Sequence, residues 1–144
     1  PENLYVALPF SLSNSELFVD KMGCLIRPGI DQIPETNMDF YLTQNGMIYQ
    51  SKEERLLINC NDAPLVTFGD LAADEITLAN DHTAWKNQEI AYSWIMNNYW
   101  ETNFKADLGG FYEFNYSIQY SDDMQQDSQI QFMNLAQGII GISI

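Results

Sequence analysis

Short apolar runs and apolar–polar alternations, broken by turn residues, fill much of the first three quarters of this chain, and a helical period appears only in the last quarter. That pattern predicts strands first and a helix last. Leu4 to Phe10 and Leu17 to Ile26 read as two strands joined by the turn-forming SLSNS stretch. Pro28 and Gly29 then stop regular structure, and RPGIDQIPETNMD from Arg27 to Asp39 reads as a long irregular loop. Phe40 to Thr43 and Met47 to Ser51 are short strands around Gln44, Asn45 and Gly46, where Asn-Gly predicts a hairpin. A charged turn at Lys52 to Arg55 leads into a strand over Arg55 to Cys60, with Leu56, Ile58 and Cys60 on one face. Asp62, Ala63 and Pro64 separate it from a strand over Leu65 to Phe68. Leu71 to Gln88 shows no regular period, and Glu89 to Met96 alternates again. The clearest alternation predicts a strand in which Tyr112, Phe114, Tyr116 and Ile118 share a face, and these aromatics join Trp94 in the expected core.

From Ser121 the period becomes helical. Ser121 as cap, Asp122 and Asp123 at the positive dipole end, and Met124, Phe132, Leu135 and Ala136 on one face predict a helix ending at Gly138. The final GIIGISI is apolar and β-like, with four isoleucines and neither charge nor proline to blunt an edge, so the chain reads as a fragment whose last strand lacks a neighbour. Short strands at intervals near ten residues, with helix only at the end, predict an antiparallel β-sandwich carrying one helix near the C-terminus.

Composition sharpens this picture by exclusion. One domain fits 144 residues, and 46% hydrophobic residues supply a core. Six basic against twenty acidic side chains give a net charge of −14, which repels polyanions and argues against nucleic-acid binding. No apolar run is long enough for a membrane span, so a soluble chain is expected. Cys24 and Cys60 both lie in apolar surroundings without metal-ligand spacing and read as buried thiols, and the lone imidazole, His82, reads as a loop residue.

Candidate chemistry is sparse. Asp31 and Asp39 flank the long loop and Asp62 and Asp70 bracket a strand, but most carboxylates are solvated charges, and neither a nucleophile elbow nor a phosphate loop is present. NNYWETNF is different in kind. Asn97, Asn98, Thr102 and Asn103 offer directional hydrogen bonds beside the flat rings of Tyr99, Trp100 and Phe104, which suits a sugar, but the same features build a structural corner, and that reading weighs more. Arg27 precedes Pro-Gly and stands near Asp31, where an Arg–Asp bond would fix the loop.

YVALPF, RPGIDQIPETNMDFY, DAPLVTFGD and WIMNNYWETNFKADLGGFYEFNYSI, in that order, resemble the carboxyl-terminal β-region of family 38 glycoside hydrolases, the α-mannosidases. The resemblance spans most of the chain up to about Gln119, and departs from the family at Asn115 to Ile118, where a basic side chain is missing. It implies a supersandwich-like β-region at residues 1–144, a piece of a larger multidomain hydrolase, packed on an amino-terminal barrel that holds the aspartate nucleophile and a zinc ion. No cofactor is then expected in this chain. Arg27, Asp31, Gln32, Asn97, Asn98, Trp100 and Asn103 become candidates for contact with carbohydrate or with the neighbouring domain. The expected partners are mannosides, reached through the parent enzyme, and the rest of the parent chain, with a homodimer through a truncated edge as a further possibility. A stand-alone carbohydrate-binding module is the alternative reading, and a mutarotase-like enzyme, which wants paired imidazoles, ranks last.

Overall fold

A computed structural model describes residues 3–69, 71, 89–97 and 109–137. Its strands are β1 (Asn3–Leu8), β2 (Glu16–Lys21), β3 (Cys24–Ile26), β4 (Tyr41–Leu42), β5 (Gly46–Gln50), β6 (Arg55–Asn59), β7 (Leu65–Phe68), β8 (Ala91–Asn97) and β9 (Ser117–Ser121), followed by helix α1 (Ser128–Gln137). All described ladders are antiparallel. They form two sheets, sheet A in the order β1-β8-β7-β4 and sheet B in the order β3-β2-β5-β6-β9. The mainly antiparallel β fold with one short helix near the C-terminus is the architecture that the alternating pattern predicts.

The core lies between the sheets. Leu8, Tyr41, Val66, Phe68 and Ala91 from sheet A meet Leu17, Val19, Met47, Tyr49, Leu56 and Ile58 from sheet B, together with Met38 and Cys60 from connecting segments. The opposite face of sheet B is covered too, because α1 lays Phe132 onto Ile48 and Leu57, with Phe18, Leu25 and Leu135 packed around them. β5 and β6 are therefore apolar on both faces, which explains why MIY and LLI read as continuous runs.

Five expectations are corrected. The run from Leu17 to Ile26 is two strands, since Met22 and Gly23 take positive φ (55° and 77°) and turn β2 into β3. Asn45-Gly46 does not close a hairpin: β4 belongs to sheet A and β5 to sheet B, so this segment carries the chain between layers. Gly46 is needed there because a Cβ would fall 1.9 Å from the Ile58 carbonyl oxygen, in addition to its φ of 152°. The helix begins seven residues later than Ser121, at Ser128, capped by Asp127, whose Oδ1 accepts from the Gln129 and Ile130 amides. Cys24 is exposed and only Cys60 is buried.

The fifth correction concerns the aromatics. The strand expected over Tyr112 to Ile118 occupies Ser117–Ser121 instead, leaving Tyr112 56% exposed and Phe114 and Tyr116 half-buried outside it. Trp94 is half-buried on the outer side of sheet A, whereas its small neighbours Ala91 and Ser93 face inward with no exposure. Inward space is too tight for a ring at that point, because Ser93 Oγ donates to the Ala63 carbonyl and accepts from the Tyr116 hydroxyl. The expected strand at GIIGISI lies outside the described residues.

Candidate functional site

Three of the seven candidate residues come together in the loop that leaves sheet B after β3 and enters sheet A at β4. Arg27, Pro28, Gly29 and Ile30 form a turn in which the Ile30 amide donates to the Arg27 carbonyl at 3.1 Å and Gly29 takes φ 73°, the arrangement that Pro-Gly favours. The turn returns Asp31 to Arg27. Nε and Nη2 of Arg27 donate to the two carboxylate oxygens at 3.1 and 2.8 Å, and the Arg27 amide adds a third bond at 2.9 Å. These bonds hold the Asp31 carboxyl below the usual carboxylate range, with the Arg27 side chain as the largest cause. Gln32 Oε1 accepts from the Gly29 amide at 3.0 Å and the Tyr41 hydroxyl at 2.6 Å, tying the loop to a core residue. Thr36 and Asn37 close the following turns through the Ile33 carbonyl and the Asp39 amide. The loop is stapled by its own polar groups, yet it displays Ile30 and Ile33 at 56% and 76% exposure.

Asn97 ends β8 opposite Asn3 of β1, while Asn98, Trp100 and Asn103, with Tyr99, lie outside the described residues. Immediately before Asn97 the β1–β8 ladder shifts register between Leu4 and Tyr5, which turns Leu4 and Met96 toward a cleft of about 330 Å³ shared with Ile95, Gly110, Phe111, Tyr112 and Phe114. In sequence this cleft brackets NNYWETNF. Among the described residues its lining side chains are apolar apart from the Tyr112 hydroxyl, which donates to the Gly109 carbonyl.

A second group of rings was not singled out in the sequence. Ladder register places Tyr5 and Ala7 of β1, Tyr92 and Trp94 of β8, Leu65 and Thr67 of β7 and Leu42 of β4 on the outer face of sheet A. Tyr5 stacks on Trp94 with ring centroids 5.6 Å apart and planes 20° from parallel, and Phe40, just before β4, lies 5.0 Å from Trp94 at 31°. The Trp94 indole donates to the Met96 carbonyl, which fixes the ring. The available signal was the choice of face: aromatic Tyr92 and Trp94 alternate with small Ala91 and Ser93, and a tightly packed interior takes the small set.

The acid–base chemistry here is static. Asp31 is held ionised by Arg27, and Asp62 by the side-chain and backbone amides of Asn115. Neither is suited to donate a proton near neutral pH. Burial pushes the Cys60 thiol up, which keeps it protonated beside Thr43. No group of three or more potential metal ligands occurs among the described residues, and no described helix is long and apolar enough to cross a membrane. No protein-family model, curated protein or solved structure matches the chain.

Proposed function

We propose that the chain is a non-catalytic β-sandwich segment of an α-mannosidase-like glycoside hydrolase, serving to scaffold and shape the sugar site of a barrel domain elsewhere in the parent protein. The family likeness of the sequence blocks motivates this reading. The observation that carries it is the stapled loop: RPGIDQIPETNMDFY, one of those blocks, is made rigid by Arg27, Asp31 and Gln32 while two isoleucines point outward. A rigid loop displaying apolar side chains is suited to packing against another domain, because little entropy remains to be lost on docking. Zinc, in this reading, belongs to the barrel.

The test compares the 144-residue chain with the full-length gene product. The isolated chain is expected to show no turnover of an aryl α-mannoside with or without added zinc, while Ile30→Asp with Ile33→Asp loosens the domains of the full-length protein, seen as faster limited proteolysis between them. Turnover by the isolated chain that Asp31→Asn or Asp39→Asn abolishes would overturn the proposal.

A further inference from the structure

Each sheet has two edge strands, and among the described ladders three of the four edges are blunted. β4 is two residues long, β3 is three, and β1 shifts register between Leu4 and Tyr5. Short length and a register irregularity are devices that keep a sheet edge from pairing with another chain. β9 has neither. Its five residues, Ser117–Ser121, pair with β6 in unbroken register and include no charge and no proline. Ile118 and Tyr120 lie opposite the core residues Ile58 and Leu56, so they continue the inner row of sheet B outward, yet they are 45% and 58% exposed.

We propose that the β9 edge pairs antiparallel with β9 of a second copy of this chain, joining the two sheets B across a two-fold axis at Gln119. In that register Ile118 of each copy lies opposite Tyr120 of the other, which gives two β-branched–aromatic cross-strand pairs. Charge selects the orientation. The acidic groups gather at one end of the strand, where Asp122 and Asp123 follow Ser121 and the Glu54 carboxylate accepts from the Tyr120 hydroxyl. Antiparallel pairing sends the two acidic ends apart, whereas a parallel strand of the same sequence would bring them together. A foreign strand would have to match the exposed apolar pair and avoid the acidic end, and the same strand reversed does both. What opposes the pairing is the net −14 of each copy, together with Asp123 of one copy approaching the Asn115-bound Asp62 of the other. Salt that screens these charges should therefore tighten it.

The experiment is sedimentation velocity of the 144-residue chain over a range of protein concentrations, at low and at high salt. A monomer–dimer equilibrium that tightens with salt is expected. Ile118→Lys removes both cross-strand pairs and places a charge on the edge, so it should weaken the dimer by about tenfold. Leu4→Lys makes the same change on the blunted β1 edge, at a residue of similar exposure, and should leave the dimer unchanged. If circular dichroism shows that Ile118→Lys does not fold, amide hydrogen exchange of the wild-type chain carries the test: protection of β9 should rise with protein concentration while that of β1 stays constant. A chain that stays monomeric at every concentration and salt, a dimer that salt dissolves, or one that Leu4→Lys abolishes and Ile118→Lys does not would overturn the proposal. So would β9 amides already protected in a dilute monomer, since the edge would then be paired within one chain. None of these outcomes bears on domain packing through Ile30 and Ile33, so the hydrolase-segment reading stands or falls separately.

Discussion

The two sheets share one core but finish their outer faces by different means. On sheet B the register aligns an apolar row, Phe18, Ile48 and Leu57, between two polar ones, and α1 closes it with Phe132, which is fully buried. One polar row contains Arg55, only 3% exposed, whose Nη1 donates to the Gln126 carbonyl, Ser128 Oγ and Gln131 Oε1 at 3.0, 2.6 and 3.1 Å. Its neighbours on that row tie in as well, since Ser128 donates to Gln50 and Gln131 to Ser121. On sheet A the rings of Tyr5, Trp94 and Phe40 pack on one another and stay half-buried. A face bearing aliphatic side chains is covered by a helix that brings its own plug. A face bearing rings partly covers itself.

The sharpest way to break this contrast is to remove one ring from each face. Phe132→Ala deletes a fully enclosed side chain and is expected to cost about 3 to 5 kcal/mol in urea melts. Trp94→Ala, where the ring is only partly buried, should cost about 2 kcal/mol, including the two ring contacts. If Trp94 proves as costly as Phe132, the outer face of sheet A is a second core and the distinction fails. Arg55→Met tests the polar clamp. It relieves a buried cation that, among the described residues, has no carboxylate partner and whose Nε lacks an acceptor, but it also strips three acceptors around the first turn of α1. Loss of bonds to a charged donor should prevail, leaving the protein about 1 to 2 kcal/mol less stable, with earlier amide exchange in α1 than in sheet A. A more stable Arg55→Met protein would mean that Phe132 alone holds the helix.

Strand existence was legible in the sequence because β8 alternates and β1 and β5 to β7 are short apolar runs bounded by turn residues. What failed was the assignment of faces and partners, and each failure has a local cause. Asn45-Gly46 is a strong hairpin signal, but the glycine is required by its approach to the Ile58 carbonyl as the chain changes sheets, a constraint from a strand twelve residues away. Period two at Tyr112 to Tyr116 fits a strand equally well, yet Asp62 takes both the backbone and side-chain amides of Asn115, and the ladder starts only at Ser117. Ser121 and Asp123 do cap, but they cap successive turns through the Asp123 and Gln125 amides before Asp127 starts the helix. Of the site candidates, the Arg27–Asp31 bond follows from spacing and complementary charge. The ring row does not, since it joins residues 5, 40 and 94 from three separate elements.

The smallest expected effect lies in the connections between the sheets, where Asp31 and Asp62 stabilise by similar geometry with different chemistry. Both carboxyls are held below their ordinary range, Asp31 first by the Arg27 side chain and Asp62 first by the Asn115 side chain. In the unfolded chain each titrates near pH 3.9 or so. A folded-state pKa depressed below the unfolded one contributes stability that is present above the unfolded value and is lost as pH falls through the folded value. The difference in melting temperature between wild type and Asp31→Asn, or wild type and Asp62→Asn, should therefore be small and constant from neutral pH down to about pH 5, then shrink toward zero by about pH 2. Salt separates the two. The partner of Asp31 is a cation in solvent, so added salt should reduce its contribution, whereas Asp62 accepts from neutral amides and should hardly respond. If salt leaves both differences unchanged, the Arg27 fork acts through its hydrogen bonds alone and the loop before β4 is stapled no differently from the segment before β9. A loss confined to Asp31 would make the loop that presents Ile30 and Ile33 the salt-sensitive part of the molecule, and limited proteolysis at raised ionic strength should cut there first.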